Sequence, residues 1–433
     1  MAFWNEKIET MPREELEKMQ LRLLKEKVAE MYEKSGFFRE RMDEAGVRPE
    51  DINSLEDFRR VPMMKKTDLR DNYPDRLFVV PYDDLVRIHV SSGTTGKPTV
   101  VGYTQKDLDD WAEALARGMT SFGLSKKDMI QNMHGYGLFT GGLGIHYGGE
   151  RIGATVLPIS TGNTSRQIQL MQDLPVTALA GTPSYYFHIA DVCDQMGIDI
   201  RKATKVRKGI AGGEPWSESM RKKLEDRTGI KTYNCYGASE FYGPMFLECE
   251  EQNGLHVWAD LAYVEILDEN DQPCKEGERG AVVITMLRKE AFPLIRYKIG
   301  DISSIDWTPC RCGRTHPRLM RITGRTDDML VVRGVNVFPS QIESVIGEIS
   351  WLSPFYHLTL TNENYMDNLV VEVELAEDAL TEDMVALNQM SNELSRRLKD
   401  VLNIKADVKL CLPGTLPRFE GKAVHVTDKR CYD

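Results

Sequence analysis

A glycine- and hydroxyl-rich segment with one lysine has the residue types that bind phosphate. It reads Ser91-Ser92-Gly93-Thr94-Thr95-Gly96-Lys97-Pro98-Thr99. Glycines let backbone N–H groups converge on anionic oxygens, and the hydroxyls and the lysine supply further donors. A Walker A loop would need glycine at Ser91 and a hydroxyl residue at Pro98, and proline there also disfavours a helical Lys97. The segment therefore predicts a phosphate loop of another kind, with a polar hairpin turn as the alternative.

Cysteines and a histidine on two separate segments have the residue types of a zinc site. Cys310-Arg311-Cys312 supplies one pair of ligands, and Cys249 with His256 supplies the other. Two such pairs can complete a tetrahedral Cys₃His site of a structural kind. His316 is an alternative fourth ligand, and four unconnected side chains are the alternative to any metal. The remaining cysteines have no comparable spacing: Cys193, Cys235, Cys274, Cys411 and Cys431.

Four further segments follow the phosphate loop in a fixed order. They are Tyr236-Gly237-Ala238-Ser239-Glu240, Tyr297-Lys298-Ile299-Gly300-Asp301, Gly324-Arg325-Thr326-Asp327-Asp328 and Leu416-Pro417-Arg418-Phe419-Glu420-Gly421-Lys422. In this order the five segments resemble the motifs of the adenylate-forming superfamily, which includes acyl-CoA synthetases, adenylation domains and luciferases. Five ordered matches are far more specific than one.

Three more segments resemble the phenylacetate-CoA ligase family within that superfamily. They are Asp68-Leu69-Arg70-Asp71-Asn72-Tyr73-Pro74, Tyr136-Gly137-Leu138-Phe139-Thr140-Gly141-Gly142 and Arg333-Gly334-Val335-Asn336-Val337-Phe338-Pro339. The resemblance runs over nearly the whole chain, and the chain length fits the compact version of the fold.

The resemblance implies how ATP would be bound. Lys97 would act on the phosphates as a catalytic residue, Glu240 would hold Mg²⁺ as a hard oxygen ligand, and Asp301 would accept hydrogen bonds from both ribose hydroxyls. Tyr236 would face one side of the purine and the Gly213–Pro215 loop the other. The implied nucleotide- and CoA-binding residues are Ser92, Gly93, Thr94, Thr95, Gly96, Gly213, Glu214, Pro215, Tyr236, Gly237, Ser239, Asp301, Arg325 and Gly334. Taken singly, Glu240 could also be a helix-start acid and Asp301 a turn residue.

The resemblance also implies a C-terminal domain that moves between two half-reactions. Lys422 would be the catalytic lysine, because its cation would stabilise charge that develops during adenylation. The domain would then swing about a hinge at Asp327 and bring a CoA-facing surface near Gly334. A solvated linker is the alternative for the hinge segment.

The acid substrate would bind among apolar residues. Tyr136, Phe139 and Pro244 match the acyl pocket of the family, and the glycines of the 137–144 segment leave room for a flat ring. Apolar walls suit a planar substrate. An ordinary hydrophobic core is the alternative for these residues.

The resemblance thus implies an enzyme that ligates phenylacetate or a related aryl acid to coenzyme A. ATP would first convert the acid to an acyl-adenylate, and the products would be the aryl-acyl-CoA, AMP and pyrophosphate. One alternative transfers a different aromatic acid to a carrier-protein thiol. Another is a non-catalytic nucleotide-binding regulator, although retention of Lys97, Glu240 and Lys422 together argues against it. The expected cofactors are ATP, Mg²⁺ and CoA, with a structural Zn²⁺.

The elements that must position these residues follow the pattern of an α/β fold. An amphipathic helix is predicted over residues 12–34, and strands are predicted on both sides of the phosphate loop. Helical and short apolar segments then alternate as far as residue 288, which indicates parallel-rich sheets. We expect a large N-terminal α/β domain at residues 1–326 and a small mobile α+β domain at residues 327–433.

Composition sets the remaining expectations. The chain has 433 residues, too many for one core of about 250–300. Its net charge of −11 argues against a nucleic-acid partner. We expect no membrane segment and no secretory signal, hence a cytoplasmic protein with reduced cysteines. Small molecules are the expected partners, and a homodimer is compatible with the sequence.

Overall fold

The computed structural model describes residues 2–90, 98–138, 140–214, 216–325, 330–332, 335–363, 366–402, 404–419 and 423–430. The helices in these ranges are α1 Glu6–Glu9, α2 Arg13–Lys34, α3 Gly36–Glu44, α4 Leu55–Phe58, α5 Lys66–Asp71, α6 Gln105–Ser121, α7 Gly141–Arg151, α8 Thr164–Asp173, α9 Pro183–Gln195, α10 Ile200–Ala203, α11 Glu218–Thr228, α12 Pro339–Glu348 and α13 Met384–Leu402. None of them, within those ranges, is long and apolar enough to cross a lipid bilayer.

The strands alternate with these helices. They are β1 Arg87–Val90, β2 Val100–Tyr103, β3 Met129–Asn132, β4 Thr155–Leu157, β5 Ala178–Gly181, β6 Lys208–Gly212, β7 Lys231–Ala238, β8 Gly243–Glu248, β9 Leu255–His256, β10 Ala262–Leu267, β11 Gly280–Met286, β12 Tyr297–Ser303, β13 Ile305–Asp306, β14 Arg318–Leu319, β15 Gly324–Arg325, β16 Leu330–Val332, β17 Val335–Val337, β18 Leu352–Glu363, β19 Met366–Leu375, β20 Asp407–Cys411 and β21 Val426–Asp428. The predicted α/β fold class is confirmed.

The contacts divide the chain into two compact units. The first comprises residues 1–160, 177–180 and 233–321, and the second comprises residues 161–176, 181–232 and 322–433. The boundary predicted from the sequence, between residues 326 and 327, lies outside the described residues and stays a prediction.

The sheets of the first unit are mixed. β3 pairs in parallel with β4 and β5, whereas β7, β8, β9, β14 and β13 follow one another as antiparallel neighbours. β10, β11 and β12 form a further antiparallel run. The short turn of residues 239–242 between β7 and β8 explains part of this pattern, because parallel strands need a much longer connection.

Helix α6 is placed by its first turn. The Thr104 hydroxyl accepts a hydrogen bond from the Asp107 backbone N–H, and the Asp107 carboxylate accepts one from the Thr104 N–H, which is a capping box. The same carboxylate accepts bonds from the backbone N–H groups of Glu290 and Ala291, at 2.7 and 3.0 Å. The start of α6 is therefore fixed to the segment that follows β11.

Helix α7 packs against α6 through glycines. A Cβ at Gly148 would overlap Leu115, and a Cβ at Gly144 would overlap the Trp111 ring. Side chains at these positions would hold the two helices apart. The glycines therefore set the close approach of α7 to α6.

The C-terminal segment of the second unit has its own sheet and core. β18 pairs antiparallel with β19 and parallel with β21, and β19 pairs parallel with β20. Alternate residues of the two long strands face one side, so Leu358, Leu360 and Val371 are fully buried. The α13 residues Leu394 and Leu398 belong to the same buried cluster, as expected for positions four apart on a helix.

Candidate active site and candidate metal centre

The predicted phosphate loop lies between paired strands. β1 and β2 are antiparallel neighbours, with Arg87 opposite Tyr103 and Val90 opposite Val100. The two strands expected on either side of this segment are thus present. Residues 91–97, which include Ser92, Gly93, Thr94, Thr95, Gly96 and Lys97, lie outside the described residues.

The end of β7 carries the Tyr236–Glu240 motif into a tight turn. The β7–β8 register shifts between Tyr236 and Gly237. A Cβ at Gly237 would overlap the carbonyl oxygen of Gly243 across the hairpin. Only glycine allows this approach of the two backbones. Ser239 and Glu240 follow in the turn and are half-buried.

Two residues of separate predicted motifs are in direct contact. The Tyr236 hydroxyl donates a hydrogen bond to the Asp301 carboxylate. Asp301 lies on β12 and is buried. The Tyr236 ring is stacked on Phe246, with ring centroids 6.4 Å apart. The residues predicted for the purine and for the ribose are therefore brought together in one unit.

Two buried side chains, Tyr103 and Lys289, bind the backbone of the turn that carries Glu240. The Tyr103 hydroxyl donates to the carbonyl oxygens of Ser239 and Tyr242, at 3.1 and 3.2 Å. The Lys289 ammonium donates to the carbonyl oxygen of Phe241 and lies 4.2 Å from the centre of the Tyr103 ring, a cation–π distance. The backbone on both sides of Glu240 is thus fixed.

Lys289 is an unusual cation because it is fully buried. Burial lowers the pKa of Lys289 to about 7, although Asp107 and Glu240 favour its charged form. Its other near neighbours are the rings of Tyr242 and Phe292. Sequence reasoning missed Lys289, because a lysine between Arg288 and Glu290 has the pattern of a solvated surface.

The predicted acid pocket is described in part. The Tyr136 hydroxyl accepts a hydrogen bond from Asn132 Nδ2 at 2.7 Å and lies 3.1 Å from His146 Nδ1. Burial raises the pKa of Tyr136 to about 12, so the phenol is neutral. Asn132 Nδ2 also donates to the Gly142 carbonyl at 2.7 Å, which ties Tyr136 to the start of α7. Phe139 lies outside the described residues.

Pro244 lies against the glycine face of α7. Its carbonyl oxygen accepts a hydrogen bond from Trp111 Nε1 at 2.7 Å. A Cβ at Gly144 would stand 3.1 Å from Pro244 Cγ and would overlap the Trp111 ring. The structure therefore places Pro244 beside the segment of small residues predicted from the sequence. Trp111 and Asn132 were missed, because each has only the pattern of an ordinary helix or strand residue.

The Gly213-Glu214 loop belongs to the second unit. Gly213 has a φ of +86°, a conformation that favours glycine. The Glu214 carboxylate accepts hydrogen bonds from the Ser184 hydroxyl at 2.9 Å and from the Ala423 backbone N–H at 2.7 Å. Ala423 directly follows Lys422 in the sequence. Glu214 therefore contacts the segment that carries the predicted catalytic lysine.

Five further predicted residues lie at the edge of the described ranges or outside them. Arg325 ends the short strand β15 and is half-buried. Pro215, Asp327, Gly334 and Lys422 lie outside the described residues.

The four residues of the predicted zinc site form one buried cluster. Cys249, His256, Cys310 and Cys312 place one ligand atom each within 4.8 Å of all the others. The Sγ atoms of Cys249 and Cys310 are 3.7 Å apart, and Cys312 Sγ is 3.4 Å from His256 Nε2. All four residues are buried, and every cysteine in the described ranges is free of disulfides.

The thiols of this cluster influence one another. Hydrogen bonding to Cys310 and Cys312 raises the pKa of Cys249. The pKa of Cys312 is lowered because the other two thiols and His256 donate hydrogen bonds to its sulfur.

His316, the alternative ligand, is occupied elsewhere. Its Nδ1 accepts a hydrogen bond from the Ala259 backbone N–H at 2.9 Å, so Nε2 carries the proton and donates to the Ile8 carbonyl at 2.7 Å. Of the two histidines left open by the sequence, His256 is the one in the cluster. The pairing of β9 with β14 places His256 opposite Arg318, close to the cysteine pair.

Comparison with known proteins defines the class of the molecule. The family model of AMP-binding enzymes matches residues 15–286, and that of the AMP-binding enzyme C-terminal domain matches residues 334–430. The crystal structure of 2-hydroxyisobutyryl-CoA ligase in the postadenylation state, in complex with R3-HIB-AMP, covers 99% of this chain and 92% of its own, with a TM-score of 0.92 and 31% identity. The chain belongs to the AMP-binding enzyme family.

Curated relatives define the group within that family. The phenylacetate-coenzyme A ligase of Escherichia coli is 45% identical over 427 residues, covering 98% of this chain and 97% of the relative. That of Thermus thermophilus is 43% identical and covers 98% of both chains. Within the AMP-binding enzymes, this is a member of the phenylacetate-coenzyme A ligase family. The predicted family and the predicted class, an AMP-forming acid–CoA ligase, are confirmed.

Proposed function

We propose that the chain ligates phenylacetate or a related aryl acid to coenzyme A in two steps. A carboxylate oxygen attacks the α-phosphorus of ATP, and pyrophosphate leaves. The CoA sulfur then attacks the acyl carbon, its proton goes to solvent, and AMP leaves. The observation that carries the proposal is the contact between Tyr236 and Asp301 beside the Glu240 turn. It supports a single nucleotide-binding surface, because it joins residues from two motifs that are distant in the sequence.

The nucleotide would be held by side chains of several elements. Asp301 would accept hydrogen bonds from the ribose hydroxyls, and the Tyr236 ring would face the purine. Mg²⁺, bound through Glu240, would neutralise the triphosphate. The 91–97 loop, with Lys97, would supply donors to the phosphates, and Arg325 would complete the nucleotide-binding set. Tyr103 and Lys289 support this arrangement, because both fix the backbone next to Glu240.

The C-terminal segment would serve both steps. Lys422 would stabilise the charge that develops as the mixed anhydride forms. The contact of Glu214 with Ala423 supports a place for the lysine segment beside the Gly213–Pro215 loop. We propose domains at residues 1–326 and 327–433, with a hinge at Asp327. Rotation there would remove Lys422 and bring the surface near Gly334 to CoA.

The preference for an aryl acid rests on the pocket residues. Tyr136 and Pro244 lie along the start of α7. A Cβ at Gly137, next to Tyr136, would meet open space among the described residues, and Phe139 would add a third apolar wall. Apolar walls with few polar groups suit a flat ring. The relatives named phenylacetate-coenzyme A ligase support phenylacetate as the first acid to test.

Two further proposals concern the metal cofactor and the oligomeric state. Besides ATP, Mg²⁺ and CoA, Zn²⁺ is a structural cofactor in the Cys249, His256, Cys310 and Cys312 cluster, outside the reaction. The expected partners are the three small substrates, and a homodimer stays a prediction.

The test is a pair of assays on one panel of acids. Phenylacetate should give acid-dependent pyrophosphate release, and addition of CoA should give phenylacetyl-CoA. Hydroxylated phenylacetates, indoleacetate, benzoates and alkyl acids complete the panel. Pyrophosphate release without thioester on CoA would favour a carrier-protein thiol as the acceptor. ATP binding without acid-dependent release would favour a regulator, and a preference for alkyl acids would overturn the aryl pocket.

A further inference from the structure

We infer that Cys249, His256, Cys310 and Cys312 form a closed Zn²⁺ site that anchors the N-terminal segment of residues 2–11. The inference rests on the zinc proposed as a structural cofactor and is independent of the reaction. The ion would fix the turn of residues 310–316, and this turn would hold the segment in place.

The spacing of the ligand atoms fits a tetrahedral zinc ion. Zinc binds thiolate sulfur at about 2.3 Å and imidazole nitrogen at about 2.0–2.1 Å. Tetrahedral geometry then sets sulfur atoms about 3.8 Å apart and sulfur and nitrogen about 3.5 Å apart. The distances are 3.7 Å for Cys249 and Cys310 and 3.4 Å for Cys312 and His256. Two of the six distances between ligand atoms therefore match the ion, and all six are within 4.8 Å.

The chemistry of the ligands selects zinc and a structural role. Three thiols and one imidazole are soft and borderline ligands that suit zinc, whereas Mg²⁺ and Ca²⁺ take oxygen ligands. Binding would release one proton from each thiol and leave the imidazole neutral. Because all four side chains are buried and all four would bind the ion, no position remains for a substrate or a catalytic water.

The ligands come from chain segments with little regular structure around them. Cys249 directly follows β8, His256 ends the two-residue strand β9, and the Cys310–Cys312 pair lies between the two-residue strands β13 and β14. The metal would thus add a crosslink among three separate segments of the chain.

The turn of residues 310–316 holds the N-terminal segment through a buried ion pair. Arg314 Nε donates to Glu9 Oε2 at 2.6 Å, and both side chains are fully buried. Arg314 Nη2 donates to the Ala2 carbonyl at 2.9 Å. The second Glu9 oxygen accepts bonds from the backbone N–H groups of Trp4 and Asn5. Loss of one partner of a buried ion pair is strongly destabilising because it leaves an uncompensated charge, so the position of Arg314 matters.

Neighbours of Arg314 in the turn extend this contact. The Thr315 backbone N–H donates to the Glu9 carbonyl at 3.1 Å, and its hydroxyl donates to the Met11 carbonyl at 2.6 Å. His316 Nε2 donates to the Ile8 carbonyl at 2.7 Å. Three consecutive residues, beginning two positions after Cys312, therefore bind the segment. Loss of the ion would release the turn and, with it, residues 2–11.

The first measurement is the metal content of full-length protein purified without added zinc. We expect about one Zn²⁺ per chain from the four-ligand geometry. The Cys310→Ser, Cys312→Ser double variant should lose it, and Cys274→Ser, which changes a thiol outside the cluster, should keep it. Wild-type protein without zinc that also fails to bind added Zn²⁺ would overturn the site.

The second measurement is hydrogen exchange of residues 2–11. Exchange there should accelerate by about tenfold or more when zinc is stripped, return on reloading with Zn²⁺, and stay unchanged in β18 and β19. Arg314→Met keeps the four ligands, so it should retain zinc yet expose residues 2–11. If stripping unfolds the whole chain, this variant decides the question. Bound zinc with unchanged protection in Arg314→Met would overturn the anchoring and leave the metal site standing.

Neither measurement depends on ligase activity. A failure of the CoA thioester assay would therefore count against the proposed reaction alone. A failure of the metal experiment would count against the zinc cofactor and this inference, and a failure of the exchange experiment would count against the anchoring alone.

Discussion

The ammonium of Lys289 donates a hydrogen bond to the carbonyl oxygen of Phe241, the residue that follows Glu240. Lys289 is 48 positions further along the chain and has no place in the recognised motifs. It lies on the Tyr103 ring, which in turn binds the backbone at Ser239 and Tyr242. The predicted magnesium ligand therefore depends on a buried cation beneath its backbone.

Lys289→Met should change how stability depends on pH. The pKa of Lys289 is about 7 in the folded chain and about 10.4 in an unfolded chain. Between these values the unfolded state binds more protons, so this residue makes the free energy of unfolding rise with pH. Below about pH 7 both states are protonated and its contribution is constant. The wild-type value minus the variant value, from urea unfolding, should therefore increase from pH 7 to pH 10.

The matched control is Lys298→Met, which removes a partly exposed lysine on β12. This lysine is paired with Asp271. The wild-type free energy of unfolding minus that of Lys298→Met should not show the same rise with pH. Parallel curves for wild type and Lys289→Met would mean that Lys289 keeps an ordinary pKa in the folded chain.

Lys422→Ala should impair adenylation and spare thioester formation. The substitution deletes a cation proposed to act on charge that develops in the first transition state, where loss of one preorganised donor costs roughly 10²–10³-fold in kcat. Pyrophosphate release should fall by at least this factor, while synthetic phenylacetyl-AMP plus CoA should still yield thioester. Lys405→Ala, at an exposed lysine of the same segment, should leave both rates near wild type. Equal losses in both half-reactions would remove the proposed role.

Asp327→Pro should have the opposite effect. Proline fixes φ near −65°, which would restrict rotation at the proposed hinge. Acyl-adenylate should therefore form, and its conversion to thioester should lag. Asp327→Ala removes the carboxylate without restricting the backbone, so it serves as the control and should retain the second step. Wild-type rates in both half-reactions of the proline variant would place the hinge elsewhere.

Gly144→Ala should destabilise the protein and weaken acid binding. The new methyl group would overlap the Trp111 ring and press on Pro244. Overpacking of this kind costs about 1–3 kcal/mol of unfolding free energy, and the KM for phenylacetate should rise more than the KM for ATP. Gly141→Ala is the control on the same helix, because its Cβ would make ordinary 3.6 Å contacts with His134. Similar melting temperatures and KM values for both variants would show that Gly144 does not shape the proposed acid pocket.

Much of the fold follows from sequence patterns because it depends on local periodicity. The helix predicted for residues 12–34 is observed at Arg13–Lys34, with Leu24 and Val28 fully buried at helical spacing. The strands around the phosphate loop are observed at Arg87–Val90 and Val100–Tyr103. In each case neighbouring residues alone carry the signal.

The remaining features depend on residues that the chain brings together from far apart. The expected parallel-rich sheets are mixed, because short turns such as that after β7 force antiparallel pairing. The sequence left His256 and His316 as alternatives. In the fold His256 contacts Cys312, whereas His316 is bound to backbone groups. Lys289 has the local pattern of an exposed lysine. Its burial depends on Tyr103 and Asp107, which lie more than 180 positions away in the sequence.

The glycines of α7 have a consequence for how the protein folds. Glycine in a helix costs about 1 kcal/mol relative to alanine, and α7 contains Gly141, Gly142, Gly144, Gly148 and Gly149. An isolated peptide of this sequence would therefore be unstructured in water. The helix owes its existence to docking on Trp111 and Leu115 of α6. During folding this wall of the proposed acid pocket would thus form only after α6 is in place.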